Sequence, residues 1–172
     1  MKDGSSSAGS DYVNTENMGS DEELRHDSRL CTSKTSLHSF KCAFGTEPFE
    51  PNCRYYFEVK LLKGTNFKIG IAESQCRDEP DVAFSDGTKG YAYYSNGQLR
   101  HNSKGSGQIY GETFRCKDTI GCYVDLVEGV VFFSKNGLVF GDAFRGDYLM
   151  NKTFYPACCC LTKGESFEVL VP

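Results

Sequence analysis

Long apolar segments are missing from this chain of 172 residues, since no run in it approaches the roughly 18 residues of a membrane-spanning helix. The polar N-terminus also lacks the apolar core of a secretory signal peptide. We therefore expect a chain without a membrane segment that stays inside the cell, in the cytoplasm, the nucleus or both. Because these compartments are reducing, the nine cysteines are expected to be buried thiols.

A surplus of basic residues is missing as well. Residues 1–39 hold seven acidic and four basic residues, a net charge of −3, which leaves 16 acidic and 15 basic residues, a net charge of −1, for residues 40–172. Binding to nucleic acid depends on many Lys and Arg contacts to phosphates. The sequence therefore disfavours nucleic acid as a partner, although one local basic patch is compatible with this count.

Few residues could carry catalysis or hold a metal ion. Zinc sites usually show cysteine pairs separated by about two to four residues, whereas Cys116 and Cys122 are six positions apart. The cysteines at 158–160 are adjacent, so their side chains would alternate in a strand. Histidine occurs only three times, and neither His38 nor His101 lies in a recognisable nucleophile motif. We predict a protein that is not an enzyme and needs no cofactor or metal; a small thiol- or metal-dependent enzyme is the alternative.

What the chain does contain divides at about residue 37. The first 39 positions hold nine serines, and residues 1–36 contain one aromatic residue, Tyr12, and no apolar periodicity. So little apolar surface cannot offset the cost of ordering a chain. We predict a disordered, acidic, serine-rich leader at residues 1–36 and one domain, rich in Gly, Phe and Tyr, at residues 37–172.

Short strands account for the domain better than helices do. Polar and apolar side chains alternate along residues 54–62, the period of two that a half-buried strand shows. Residues 67–72 follow a short turn and are predicted to pair with them as a hairpin, and Asn96-Gly97 and Asn136-Gly137 are typical of tight turns. Strands are predicted at residues 37–44, 54–62, 67–72, 90–94, 98–101, 119–127, 130–134, 138–140, 154–161 and 166–171. Their spacing predicts an all-β sandwich.

Five pieces of sequence occur in the order in which the SPRY family has them. They are YYFEV at residues 55–59, IGIA at 69–72, DTIGCYVDL at 118–126, FFSKNG at 132–137 with Gly141 and Phe144 after it, and FYP at 154–156. The ordered set resembles the family far more specifically than any one piece does. GY at residues 90–91 and GSGQIYG at 105–111, with Phe114 after it, further resemble the Ran-binding-protein-M-like subgroup.

This resemblance implies a bent antiparallel two-sheet β-sandwich that binds a short peptide segment or a protein surface through its edge loops. Members of the subgroup scaffold multi-subunit ubiquitin ligases, so an adaptor or scaffold role in such an assembly is implied too. We therefore expect a protein or peptide partner, and neither a nucleic acid nor a membrane. A structural subunit that folds only against a larger assembly is a further alternative.

The resemblance also implies where a partner binds. Peptide-binding members of the family use four loops, which are expected to gather at one end of the sandwich. The matching residues of this chain are Glu47, Pro48, Phe49, Thr65, Phe84, Thr162 and Gly164. Thr65 matches those members in residue type and in its place after Gly64. Phe49 and Phe84 are large apolar residues in polar loops, so they are expected either to anchor a partner or to pack beneath their own loops.

Overall fold

The computed structural model describes residues 30–32 and 39–170, with the side chains described for residues 39–170. Most of the predicted leader, together with residues 37 and 38 of the first predicted strand, therefore lies outside the described residues. The strands are β1 Leu30–Thr32, β2 Lys41–Phe44, β3 Arg54–Lys63, β4 Phe67–Ala72, β5 Gly90–Tyr94, β6 Gln98–Arg100, β7 Gln108–Ile109, β8 Thr119–Asp125, β9 Val130–Lys135, β10 Leu138–Arg145, β11 Tyr155–Cys160 and β12 Ser166–Leu170. Within the described residues, short 3₁₀ helices lie in the loops at Ser74–Asp78 and Asp147–Leu149, and neither is long enough to cross a membrane.

The strands form two six-stranded antiparallel sheets. The first sheet has the order β1-β12-β3-β8-β9-β10, and the second has the order β2-β11-β4-β5-β6-β7. This arrangement confirms the predicted all-β sandwich. The meander β8–β9–β10 and the β5–β6 hairpin are also as predicted. At the β9–β10 turn, Asn136 and Gly137 have φ values of 51° and 83°, the left-handed pair that a two-residue hairpin turn requires.

The predicted hairpin between residues 54–62 and 67–72 is wrong. Strand β3 pairs with β12 and β8 in the first sheet, whereas β4 pairs with β11 and β5 in the second. The turn after Lys63 therefore carries the chain across the sandwich. The difference has a physical reason, since every residue of β4 is buried and the strand needs cover on both of its faces.

The core lies between the sheets. Phe57, Val59 and Leu61 point inward from β3 and are at most 2% exposed, while the residues between them are half-buried or exposed. Each such side chain contributes about 1.5–3 kcal/mol of hydrophobic stabilisation. A second, smaller cluster covers the outer face of the second sheet, where Phe84 packs with the small residues Ala92 and Ala157.

The cysteines at 158–160 alternate as the sequence predicts. Cys158 and Cys160 face the main core, and Cys159 faces the outer cluster. There Cys159 lies opposite Cys42 of β2, and the two sulfurs form a disulfide. The expectation that all nine cysteines are thiols is therefore wrong for this pair, because strand register brings together two residues that are 117 positions apart.

Candidate functional site

Strand β11 separates two ends of the sandwich. At its start, Phe154 forms a bridge with Phe49, and at its finish, Cys160 pairs with Phe67, the first residue of β4. The six residues of β11 span roughly 20 Å at about 3.3 Å per residue. Loops that flank Phe154 and loops that flank Cys160 therefore belong to different surfaces.

Glu165 organises the end near Cys160. Its side chain belongs to a residue that is 4% exposed, and its two carboxylate oxygens accept four backbone hydrogen bonds. Oε1 accepts from Thr65 N–H at 2.9 Å and from Asn66 N–H at 2.8 Å. Oε2 accepts from Leu161 N–H at 2.9 Å and from Thr162 N–H at 2.8 Å. One carboxylate thus fixes two turns that lie about a hundred residues apart in the sequence.

Two further contacts extend this arrangement. The hydroxyl of the buried Ser95 donates to the carbonyl of Thr65 at 2.6 Å, and the backbone N–H of Cys116 donates to the carbonyl of Gly64 at 3.3 Å. We call residues 63–66, 95–97, 115–118 and 161–165 the clamp end. On it, Thr65 and Thr162 are exposed above the buried Glu165. The clamp end is therefore a rigid surface with exposed polar groups.

The other end is held by aromatic packing. Phe49 is 3% exposed, and its ring stacks on the ring of Tyr55 at 4.3 Å between centroids. The hydroxyl of Tyr55 accepts a hydrogen bond from the backbone N–H of Glu50 at 2.9 Å. We call residues 45–53, 126–129 and 146–154 the far end. Glu47 is exposed there and Pro48 is half-buried, so the loop presents a carboxylate above an aromatic support.

Phe84 lies at neither end. The loop of residues 73–89 folds back over the outer face of the second sheet and is fixed by ion pairs from the buried Lys41 to Asp81 at 2.7 Å and from the buried Lys68 to Asp86 at 3.0 Å. Phe84 is 3% exposed beneath this loop, and its ring meets the ring of Phe44 edge-on at 6.4 Å.

A family model for the SPRY domain matches residues 54–172, which is more than half of the chain. This chain belongs to the SPRY domain family. The family is one of protein-interaction modules, and the predicted relationship is confirmed.

Relatives with this domain include Ran-binding proteins. The chain is 33% identical over 123 residues to the Ran-binding proteins 9/10 homolog of Drosophila melanogaster, a match that covers 70% of this chain and 12% of the relative. It is 34% identical over 122 residues to human Ran-binding protein 9, covering 70% of this chain and 16% of that protein. The chain thus spans a small part of the length of these relatives.

Solved SPRY structures share the fold. The SPRY domain of human HERC1 matches with a TM-score of 0.69 and 16% identity, covering 87% of this chain and 92% of that one. A second human SPRY domain matches with a TM-score of 0.71 and 19% identity, covering 86% and 95%. These similarities confirm the sandwich architecture.

The SPRY fold divides the seven predicted site residues. Thr65, Thr162 and Gly164 lie together at the clamp end. Glu47, Pro48 and Phe49 lie at the far end, and Phe84 lies on the outer face of the second sheet. Phe49 and Phe84 are each 3% exposed, so both rings pack beneath their own loops in this structure. A part for either ring in partner binding stays a prediction.

Sequence reasoning missed Glu165 and Ser95. A glutamate in a polar turn and a serine before Asn-Gly are typical of solvated loops, so neither residue stands out. The role of Glu165 and Ser95 is visible only in the structure, where both contact a turn that is remote from them in the sequence.

Two thiols of this SPRY domain, Cys76 and Cys122, are poorly suited to act as nucleophiles. Burial raises the pKa of the Cys76 thiol to about 11 and the pKa of Cys122 well above its ordinary value. A raised pKa disfavours the thiolate that acts as nucleophile. Within residues 39–170, no group of three or more His, Cys, Asp or Glu side chains is placed to hold a metal ion.

Proposed function

We propose that this SPRY domain binds a protein partner through its clamp end. The observation that carries the proposal is the set of four backbone hydrogen bonds that the Glu165 carboxylate accepts. These bonds hold the turns of Thr65 and Thr162 in one geometry before a partner binds. Binding costs conformational entropy when loops must be ordered. Turns that are already fixed avoid most of this cost, so their exposed hydroxyl and backbone groups can recognise a segment with little reorganisation.

The predicted residues outside the clamp end have other roles in this proposal. Phe49 and Phe84 support loops from below, and Glu47 with Pro48 forms part of a separate surface at the far end. One extended segment that contacts both Thr65 and Glu47 would have to follow the side of the sandwich for about 20 Å. We therefore assign the main contact to Thr65, Thr162 and Gly164.

The wider role of the domain follows from its family. We infer an adaptor or scaffold that acts inside the cell, with a ubiquitin-ligase-type assembly as one setting for it. The names of the relatives make Ran one partner to include in the experiments. In this role the domain supplies recognition, and any chemistry belongs to the proteins that it brings together.

Site-directed photo-crosslinking tests the location. A photoreactive amino acid replaces Thr65 or Thr162 in the full chain, and matched variants carry it at Glu47 or Lys104, which are also exposed. We expect discrete crosslinked proteins from the two clamp-end positions and weaker or different products from the other two. Mass spectrometry then identifies the partners.

A result in which the products come only from Glu47 would move the binding surface to the far end. Products that are the same from all four positions would show nonspecific contact, and the proposal would fail. Circular dichroism of each variant confirms that all four proteins are folded.

A further inference from the structure

We propose that the partner segment bound at the clamp end is acidic, an extended peptide whose Asp or Glu side chains contact Lys63, Lys163, Arg115 and Lys117. This inference rests on the proposed function and adds the chemistry of the partner. It depends on how charge is distributed over the described part of the domain.

The clamp end holds four exposed cations and few anions. Lys63 ends β3, Arg115 and Lys117 lie in the neighbouring turn, and Lys163 lies between Thr162 and Gly164. Among the described residues, none of the four forms an ion pair. Their charges are therefore available to a partner.

The two carboxylates of the clamp end are already occupied. Glu165 is buried and accepts the four backbone hydrogen bonds. Asp118 accepts a hydrogen bond from the backbone N–H of Arg115 at 2.9 Å and another from the side-chain amide of Asn136 at 2.8 Å. Because these oxygens face protein donors, they leave the nearby ammonium and guanidinium groups unmatched.

The four cations are close enough to act on one segment. The turns that carry them are joined by the Cys116 to Gly64 hydrogen bond and by Glu165. A Cβ atom placed on Gly164 would lie 3.7 Å from Nζ of Lys63, so this ammonium already lies over the Thr162 turn. Carboxylates that alternate along an extended peptide could therefore meet successive cations, while Thr65 and Thr162 offer hydroxyl donors.

The far end has the opposite charge. Glu47, Glu50, Glu128 and Asp147 are exposed there and form no ion pair among the described residues. The residues from 40 to 172 are nearly neutral in total, so the basic character is local to the clamp end. An acidic segment is attracted to one end and repelled by the other, which fixes where it docks and raises its association rate.

A peptide fits this surface better than a nucleic acid does. The described residues gather four cations here, and stable nonspecific binding to nucleic acid usually draws on roughly six to ten phosphate contacts. The short turns also offer directional hydroxyl groups, which suit separate carboxylates along a peptide.

Fluorescence anisotropy on the full chain tests the inference. The probe is a short fluorescein-labelled peptide of alternating Asp and Ser, and its control replaces every Asp with Asn. We expect saturable binding of the acidic probe that weakens as salt is raised, and at least roughly tenfold weaker binding of the Asn control, since several charge contacts of about 0.2–1 kcal/mol each are lost.

Two charge reversals locate the site. Lys163→Glu should weaken binding of the acidic probe roughly tenfold. Lys104→Glu should change it by less than about twofold, because Lys104 lies in the loop of residues 101–107, is also exposed and forms no ion pair with the described residues. Both variants change the net charge by the same amount, so a difference between them reports position.

Equal losses in the two variants, or equal binding of the Asp and Asn probes, would overturn the inference. Binding of a single-stranded oligonucleotide as tightly as the acidic peptide would overturn it as well. If the probe fails while Thr65 and Thr162 still crosslink discrete proteins, the clamp end binds a partner of different chemistry and the proposed function stands.

Discussion

The two ends of this sandwich are built by different means. At the clamp end, a single buried carboxylate, Glu165, holds short turns through backbone hydrogen bonds, and the exposed side chains above it are basic. At the far end, the ring of Phe49 holds a longer segment by stacking on Tyr55, and the exposed side chains are acidic. The hydrogen bonds to Glu165 fix the positions of backbone groups, whereas the packing of the Phe49 ring mainly adds stability.

This difference is the reason for proposing the clamp end as the recognition surface. Hydrogen bonds are directional, so Glu165 fixes the orientation of Thr65 and Thr162 as well as their position. Stacked rings tolerate sliding and offset, so Phe49 limits the far-end loop less strictly. Substitutions at the two ends should therefore differ in their effects.

Removing the aromatic support should cost the most stability. Phe49→Ala deletes a ring that is 3% exposed and leaves a cavity between Tyr55 and Phe57, so the free energy of unfolding should fall by about 3–5 kcal/mol. Urea denaturation measures it. Phe49→Leu, which keeps most of the volume, is the control and should lose much less. A loss below about 1 kcal/mol for Phe49→Ala would show that the far end does not depend on this ring.

Substitution of Glu165 at the clamp end should lower the free energy of unfolding less, but it should change the hydrogen-exchange rates of specific backbone amides. Glu165→Gln keeps one acceptor oxygen and places an amide group against two of the four N–H donors, so the free energy of unfolding should fall by about 1–3 kcal/mol. Hydrogen exchange should accelerate at residues 65, 66, 161 and 162.

The matched control for the clamp is Glu168→Gln. Glu168 lies three residues further along the chain, in β12, and forms no side-chain hydrogen bond or ion pair with the described residues. Its substitution should leave both stability and amide exchange nearly unchanged. Equal effects of the two substitutions would mean that Glu165 contributes only its charge.

A substitution at Gly64 tests the contact between the Thr65 turn and the side chain of Glu165. Gly64 has a φ of 112°, and a Cβ atom there would collide with the side chain of Glu165. Gly64→Ala should therefore lower the free energy of unfolding by about 1 kcal/mol or somewhat more and accelerate exchange at Thr65. Gly105→Ala is the control, because a Cβ at Gly105 meets no atom within 4 Å. Similar stability of both variants would contradict the proposed tight fit.

Local sequence signals predicted the strands well. Alternation along residues 54–62 and the Asn136-Gly137 pair depend on neighbours within a few residues, and both features are present in the structure. The partner of β3 was predicted wrongly because a short turn looks the same whether it closes a hairpin or crosses the sandwich. The choice depends on β8, β11 and β12, which lie far along the chain.

The site was predicted only in part, for a related reason. The resemblance to SPRY proteins implied one loop end for all the predicted site residues. Thr65 and Thr162 do lie together, but Glu47 lies at the opposite end of the sandwich. Whether Phe84 faces outward depends on the Lys41 and Lys68 ion pairs that fold its loop back over the sheet. Such contacts are set by tertiary structure, so no local pattern reports them.

The smallest effect should be a difference in thiol reactivity between the two ends. Cys53 is exposed at the far end, whereas Cys116 is half-buried at the clamp end and its thiol donates to the carbonyl of Leu62 at 2.9 Å. Alkylation should therefore be faster at Cys53 than at Cys116, because the reagent reaches an exposed thiol more easily than a half-buried one. Peptide mapping by mass spectrometry measures both rates in one sample.

The acidic probe peptide should slow alkylation of Cys116 further and leave Cys53 unchanged, and its Asn counterpart should protect neither thiol. Protection of Cys53 instead would place the acidic segment at the far end, against the like charge of Glu47 and Glu50, and would reverse the contrast between the two ends.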